Sequence, residues 1–173
     1  MDWRASAGRV VIEACSPHPD DVVLLLGWGD GEVARGLAER VRRVVVRDPG
    51  DAPPDLPAGV SWSVGDVRTA ETVEGLSVVA IHWELRRLPP DQQAALVRRV
   101  AAILPARGLF VVGDLLWSLG PEMVDEPEQY GDALRWAPRA ADFEKLVRSA
   151  GFLPDLHRLG PAVGVMIALK AGR

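Results

Sequence analysis

The chain has almost nothing with which to cross-link itself, since Cys15 is the only cysteine among 173 residues. No intramolecular disulfide can form, and a cytoplasmic setting is expected. Lysine is nearly absent as well: Lys145 and Lys170 are the only two, so arginine carries most of the positive charge. That scarcity reads as compositional bias. No apolar run reaches the length of a bilayer-spanning helix, and Met1-Asp2-Trp3-Arg4 lacks the basic, apolar and cleavage regions of a secretory signal. A net charge of -4 gives no global attraction to nucleic acid or anionic membrane. Arg86-Arg87 and Arg98-Arg99 have no lysine or aromatic interleaving around them and read as solvated helix faces. Tyrosine is scarce too, one against six tryptophans, so the positions of the tryptophans carry information.

What the chain does contain is an alternation of short apolar runs with helical patterns, the mark of a parallel sheet covered on both faces. The length suits one domain over residues 1–173. Strands are expected at Val22–Leu26, Val44–Val46, Val60–Val64, Val78–Ile81 and Leu109–Val112, and two more at Phe152–Leu159 and Val163–Leu169, joined by Gly160-Pro161. Val33, Ala34, Leu37, Ala38 and Val41 recur at helical spacing. So do Leu96, Val97, Val100, Ala101 and Leu104 behind Pro89-Pro90-Asp91, and Phe143, Leu146, Val147 and Ala150 before Gly151. Residues 1–20 are expected to be an N-terminal helical segment, and Arg68–Leu76 has no clear pattern. Residues 117–138 form the longest irregular stretch and are a candidate lid.

Gly27-Trp28-Gly29-Asp30-Gly31 follows the first strand and opens a helix, where a sharp turn and close ligand approach both favour glycine. The last position of a dinucleotide fingerprint is Glu32 rather than glycine. Asp30 and Glu32 also put two carboxylates where a pyrophosphate needs open amides and a positive dipole end. A ligand carrying sulfonium and ammonium groups would meet no such clash. Asp48 ends the second strand, the place from which a carboxylate reaches ribose hydroxyls, and Asp66 ends the third after Gly65. Taken singly, each of these acids is also explained by a turn or a helix cap.

In this order and spacing the chain, from about Asp20 to Leu169, resembles the class I S-adenosylmethionine-dependent methyltransferases. Val23-Leu24-Leu25-Leu26-Gly27-Trp28-Gly29-Asp30-Gly31 is similar to the family's first motif, and Val44-Val45-Val46-Arg47-Asp48 to its second strand. Gly65-Asp66-Val67 resembles the segment whose acid meets the adenine amino group. Leu85–Pro90, Leu104–Phe110 and Phe143–Phe152 are similar to the family's later connections. The resemblance implies a doubly wound, mostly parallel seven-stranded α/β sheet of Rossmann-like type with a C-terminal antiparallel hairpin. It also implies S-adenosylmethionine as cofactor, S-adenosylhomocysteine as product, and a small-molecule methyl acceptor. Gly27, Trp28, Gly29, Gly31, Asp48, Asp66 and Ile81 are then the cofactor-binding residues. Four positions depart from the pattern: Leu25 stands where an acid usually holds the methionine portion, and Trp28 at a position normally small. Ser77 replaces a common acid, and Arg107 replaces one glycine of a Pro-Gly-Gly turn.

Methyl transfer rests chiefly on positioning, and a base depends on the acceptor. The cleft over the strand ends is expected to receive His82, Trp83 and Glu84 from the fourth strand, and Asp114 and Trp117 from the fifth, with Trp83, Glu84, Asp114 and Trp117 as the candidate acceptor-binding residues. His82 is the candidate base, its ordinary pKa lying near neutrality; a satisfied structural histidine is the competing reading. Trp28, Trp83 and Trp117 form a candidate aromatic wall, although each also serves as core filler. Trp3, Trp62 and Trp136 are assigned to packing. Two rival readings remain. A methyltransferase-like domain could bind without catalysing, given Leu25, Trp28 and Ser77. Alternatively, Ser16-Pro17-His18-Pro19-Asp20-Asp21 resembles the His-Pro-Asp-Asp motif of zinc-dependent deacetylases. Such a site needs at least one more histidine to complete its ligands, and neither His82 nor His157 sits in a His-x-x-His pairing, so no metal site is expected.

Overall fold

A computed structural model of the protein describes residues 3–116, 135–160 and 162–172. Most of the candidate lid, 117–134, and with it Trp117, lies outside the described residues. The elements run α1 (Trp3–Ala14), β1 (Val22–Leu26), α2 (Glu32–Ala38), β2 (Arg43–Asp48), β3 (Val60–Val64), β4 (Leu76–His82) and α3 (Pro90–Ile103). They continue with β5 (Leu109–Leu115), α4 (Ala140–Ser149), β6 (Phe152–Arg158) and β7 (Val163–Lys170). Short 3-10 turns at Val67–Thr69 and Leu85–Arg87 follow β3 and β4.

The strands form one seven-stranded sheet in the order β3-β2-β1-β4-β5-β7-β6. β1 through β5 are parallel, and β7 runs antiparallel to both β5 and β6. β1 is buried at all five residues, which explains its unbroken Val-Val-Leu-Leu-Leu: its sheet neighbours satisfy the backbone, while both faces meet helices. One face packs Val11, Ile12 and Cys15 of the α1 segment and Val33, Ala34 and Leu37 of α2 against Val23, Leu25, Val44, Val46, Val78, Ala80 and Val111. Burial pushes the Cys15 thiol up to about 12, so it behaves there as a small apolar side chain. The other face packs Leu96, Val97 and Val100 of α3 and Phe143 and Val147 of α4 against Leu24, Leu26, Val79, Ile81, Phe110 and Val112.

Between β3 and β4 the chain makes no helix. The 3-10 turn at Val67–Thr69 leads into a loop that sends Val67 and Ala70 into the α3 face of the core. α3 begins with proline in its first turn, where no amide partner is lost. It ends where Lys170 Nζ donates to the carbonyls of Ala101, at 2.6 Å, and Leu104. A cation thus satisfies the orphaned end of the helix. Arg107, in the turn before β5, holds φ at 66°, the left-handed region that a glycine would occupy without strain. Among the described residues no helix is long and apolar enough to cross a membrane.

Candidate functional site

The chain winds from β1 outward to β2 and β3, then returns to lay β4 on the other side of β1. The loops after β1 and β4 therefore diverge, which opens a crevice beyond the carboxyl ends of the strands at a topological switch point. A cleft of about 430 Å³ lies there. Trp28, Gly29 and Asp30 enter it from the β1 loop, Asp48 and Asp51 from the end of β2, and Trp62 from β3. Trp83, Glu84, Arg86 and Arg87 complete it from the segment after β4.

Gly27, Gly29 and Gly31 all hold positive φ, at 89°, 60° and 78°, so the loop takes its path only because these positions lack a side chain. A Cβ at Gly31 would lie 2.4 Å from the Trp28 indole, so that glycine lets Trp28 fold back over the start of α2. Trp28 meets Trp62 edge-on with ring centroids 5.7 Å apart, which makes an aromatic wall on the β3 side. Above Gly29 the space is open among the described residues, none of which has an atom within 4 Å of a Cβ built there. Asp48 fixes this loop: its Oδ2 accepts from Trp28 N at 2.9 Å and its Oδ1 from Gly50 N at 2.8 Å. Each carboxylate oxygen holds one amide and keeps acceptor capacity facing the cleft.

The opposite wall is built on a buried acid. Asp114, fully buried on β5, accepts from Leu85 N at 2.7 Å and Arg86 N at 3.3 Å through Oδ2. Its Oδ1 takes Leu115 N at 2.7 Å and Arg86 Nη1 at 3.4 Å. These bonds hold the 3-10 turn Leu85–Arg87 under the cleft rim, although burial still pushes the carboxyl above its ordinary range. Trp83 enters that turn with φ at 62°, and its ring stacks beneath the Arg86 guanidinium at 4.9 Å. A bulky residue in this conformation costs about 1–3 kcal/mol, a strain found where function fixes the backbone. Glu84 folds back over the glycine loop, since a Cβ on Gly27 would lie 2.2 Å from Glu84 Cγ. Its Oε1 accepts from Arg87 Nη1 at 3.1 Å, and burial raises its pKa against the pull of Arg87.

Of the residues expected at the site, Trp28, Gly29, Asp48, Trp83 and Glu84 line the cleft. Gly27 lies beneath Glu84, and Gly31 beneath Trp28. Asp66 is elsewhere, capping the turn at Val67–Thr69 and ion-paired with Arg68, whose side chain holds its carboxyl down at about 2. Ile81 is buried in the core on the α3 face. His82 and Asp114 fall short of the cleft because β4 runs on to His82 and β5 to Leu115, so both side chains lie within the sheet layer. The His82 imidazole is 3% exposed, its Nε2 has no hydrogen-bond partner among the described residues, and burial lowers its pKa to about 4. Asp51, Trp62, Arg86 and Arg87 also line the cleft; the sequence assigns Trp62 to packing and Arg86-Arg87 to a solvated helix face, and gives Asp51 no role beyond its loop. The nearest signal was the position of Arg86 and Arg87 just past a strand end.

At the opposite, amino-terminal end of β1, the His-Pro-Asp-Asp segment forms a turn. His18 N donates to Asp21 Oδ2 at 2.7 Å and Ser77 Oγ to Asp21 Oδ1 at 2.8 Å. No group of three or more His, Cys, Asp or Glu residues is placed to hold a metal ion among the described residues.

No protein-family model matches the sequence, and the comparison with curated proteins found no match. Solved structures do match. Human N-acetylserotonin methyltransferase in complex with S-adenosylmethionine superposes with a TM-score of 0.76 at 16% identity, over 95% of this chain and 52% of that one. Phosphoethanolamine N-methyltransferase 2 of Haemonchus contortus, in complex with S-adenosyl-L-methionine, gives 0.77 at 12% identity, over 96% and 53%. This chain therefore spans about half the length of both. The YcgJ protein of Bacillus subtilis matches over 97% of this chain and 99% of its own, with a TM-score of 0.74 at 10% identity. Sheet order, the antiparallel β7 and these superpositions agree: the chain has the class I S-adenosylmethionine-dependent methyltransferase fold.

Proposed function

We infer that the chain binds S-adenosylmethionine in the cleft after β1 and transfers its methyl group to a small acceptor. The observation that carries this reading is Asp48: a carboxylate at the end of β2, clamped by two loop amides, with free acceptor capacity at the rim of an open glycine loop. The cleft also suits the charge of such a ligand. Its lining includes four carboxylates (Asp30, Asp48, Asp51 and Glu84) against the two guanidiniums of Arg86 and Arg87. A sulfonium is favoured in that field and a pyrophosphate is not. The volume falls within the range of small-molecule sites.

Asp48 would hold the ribose hydroxyls, and the Trp28–Trp62 wall would take a flat face of the nucleoside or acceptor. When bound, the cofactor supplies an electrophilic methyl group. The chain's own residues then orient the acceptor and keep water out, with Trp83 placed to form part of the acceptor wall. His82 is a weak base at a pKa of about 4 and sits off the cleft, so it supports Trp83 from below, ring centroids 5.1 Å apart. A second reading, a domain that binds the cofactor without turnover, draws support from the fully buried Leu25 and from Glu84 lying over Gly27.

Calorimetric titration of S-adenosylmethionine and S-adenosylhomocysteine into wild type, Asp48→Asn and Asp48→Ala tests the binding. The expected result is saturable binding to wild type, weakened about tenfold or more in Asp48→Ala. Folded wild type that binds neither compound would sink the reading. Binding without turnover on any small acceptor would favour the second one.

A further inference from the structure

Leu25 is apolar and fully buried where the related pattern has an acid for the methionine portion, so β1 offers nothing to an amino-acid group. Glu84 brings a carboxylate over the glycine loop at Gly27, two residues beyond Leu25. Its Cγ stands 2.2 Å from where a Cβ of Gly27 would be, so the side chain rests on the bare backbone of the glycine loop. Only 16% of its side chain is exposed, and its carboxylate pairs with Arg87, 66% exposed at the rim. Both residues line the cleft. A carboxylate beside a guanidinium is the charge complement of an α-amino acid zwitterion, whose ammonium would face the first and whose carboxylate the second. The Glu84–Arg87 pair is solvent-facing on the arginine side, so exchanging partners with a ligand costs little. The turn carrying both residues is held from below by Asp114 through Leu85 N and Arg86 N, which fixes the pair before a ligand arrives.

We propose that Glu84 and Arg87 together form the amino-acid subsite of the cleft, reading the homocysteine zwitterion of the cofactor in place of an acid on β1. This rests on the cofactor reading above, and it moves Glu84 from the acceptor side of the cleft to the cofactor side. Arg87, which the sequence assigns to a solvated face, becomes a ligand for a carboxylate.

The test compares two neutral thioethers, S-adenosylhomocysteine and 5′-methylthioadenosine. They share the nucleoside and differ in the amino-acid zwitterion, so the sulfonium charge does not enter. Both are titrated calorimetrically into wild type, Glu84→Gln and Arg87→Gln, with thermal melts confirming that each variant is folded. Each substitution is expected to weaken S-adenosylhomocysteine about tenfold and to leave 5′-methylthioadenosine within about twofold of wild type. Unchanged or tighter S-adenosylhomocysteine binding by Glu84→Gln would overturn the proposal and make Glu84 a plug over the loop. An equal loss for both thioethers would overturn it as well, by placing the effect on the nucleoside. Wild type that binds neither thioether would bring down the cofactor reading itself, a result distinct from the other two.

Discussion

His82 and Glu84 stand two residues apart and meet opposite electrostatic demands. Burial holds the His82 imidazole neutral, lowering its pKa from 6.5 to about 4. The unfolded chain therefore binds a proton that the folded chain refuses in the window between those values. A depressed histidine pKa makes stability fall as pH drops from about 6.5 to 4, with up to about 3 kcal/mol at stake. Glu84 and Asp114, whose pKa values burial raises, act in the opposite sense on acidification. Urea unfolding of wild type and His82→Leu across this range isolates the histidine: the stability difference between them should shift toward the variant as pH falls. A constant difference would mean that His82 is not buried neutral. No sequence rule separates this histidine from a cleft histidine, because the distinction is whether β4 stops at Ile81 or takes in one more residue.

The 3-10 turn Leu85–Arg87 is the element on which the site depends, and it has almost no core of its own beyond Leu85. Asp114 holds it with an uncommon concentration of bonds for one side chain. Asp114→Leu would leave the Leu85 and Arg86 amides and the Arg86 guanidinium without their acceptor in a buried place. The expected cost is about 3–5 kcal/mol, together with faster hydrogen exchange at the Leu85 and Arg86 amides relative to α3. Slow exchange there in the variant would show that the turn holds its shape without the acid. Regular elements were readable beforehand because their signal is local. Val22–Leu26 and Val60–Val64 match the observed strands, and the α3 stripe of Leu96, Val97 and Val100 is buried as its period requires. The turn was not readable, since its anchor lies 28 or 29 residues away on another strand. Trp62, assigned to packing, does pack against the core, and its place in the cleft wall was unreadable for a related reason: whether a residue of a short outer strand also lines a cleft depends on the loop that faces it.

At the scale of the whole molecule, the doubly wound sheet, its antiparallel C-terminal hairpin and the places of the glycine loop and Asp48 at strand ends were legible together, because alternating apolar runs and helical stripes mark where strands stop. The placement of individual charges within that cleft was not, because Asp51, Arg86 and Arg87 reach it by chain reversals that leave no periodic trace. One domain over 1–173 remains our reading of the chain. It predicts a single unfolding transition, with tryptophan fluorescence and far-UV circular dichroism coinciding. S-adenosylhomocysteine at about 100 times its Kd should stabilise that transition by about 2.7 kcal/mol, which raises Tm by about 5–10 °C for a chain of this size. Two separated transitions would divide the domain, and an unmoved Tm would argue against the cleft as the ligand site.

The position of β7 has a further consequence, for synthesis. Among the described residues β6 pairs only with β7, and β7 fills the gap between β6 and β5. As the polypeptide leaves the ribosome, β6 therefore emerges before the strand it pairs with, on the order of a second earlier at ordinary elongation rates. Until β7 arrives, β5 also presents an open edge lined with Phe110, Val111 and Val112. A nascent chain paused before Val163 would display two unpaired edges at once, the condition in which neighbouring chains on a polysome stick to one another.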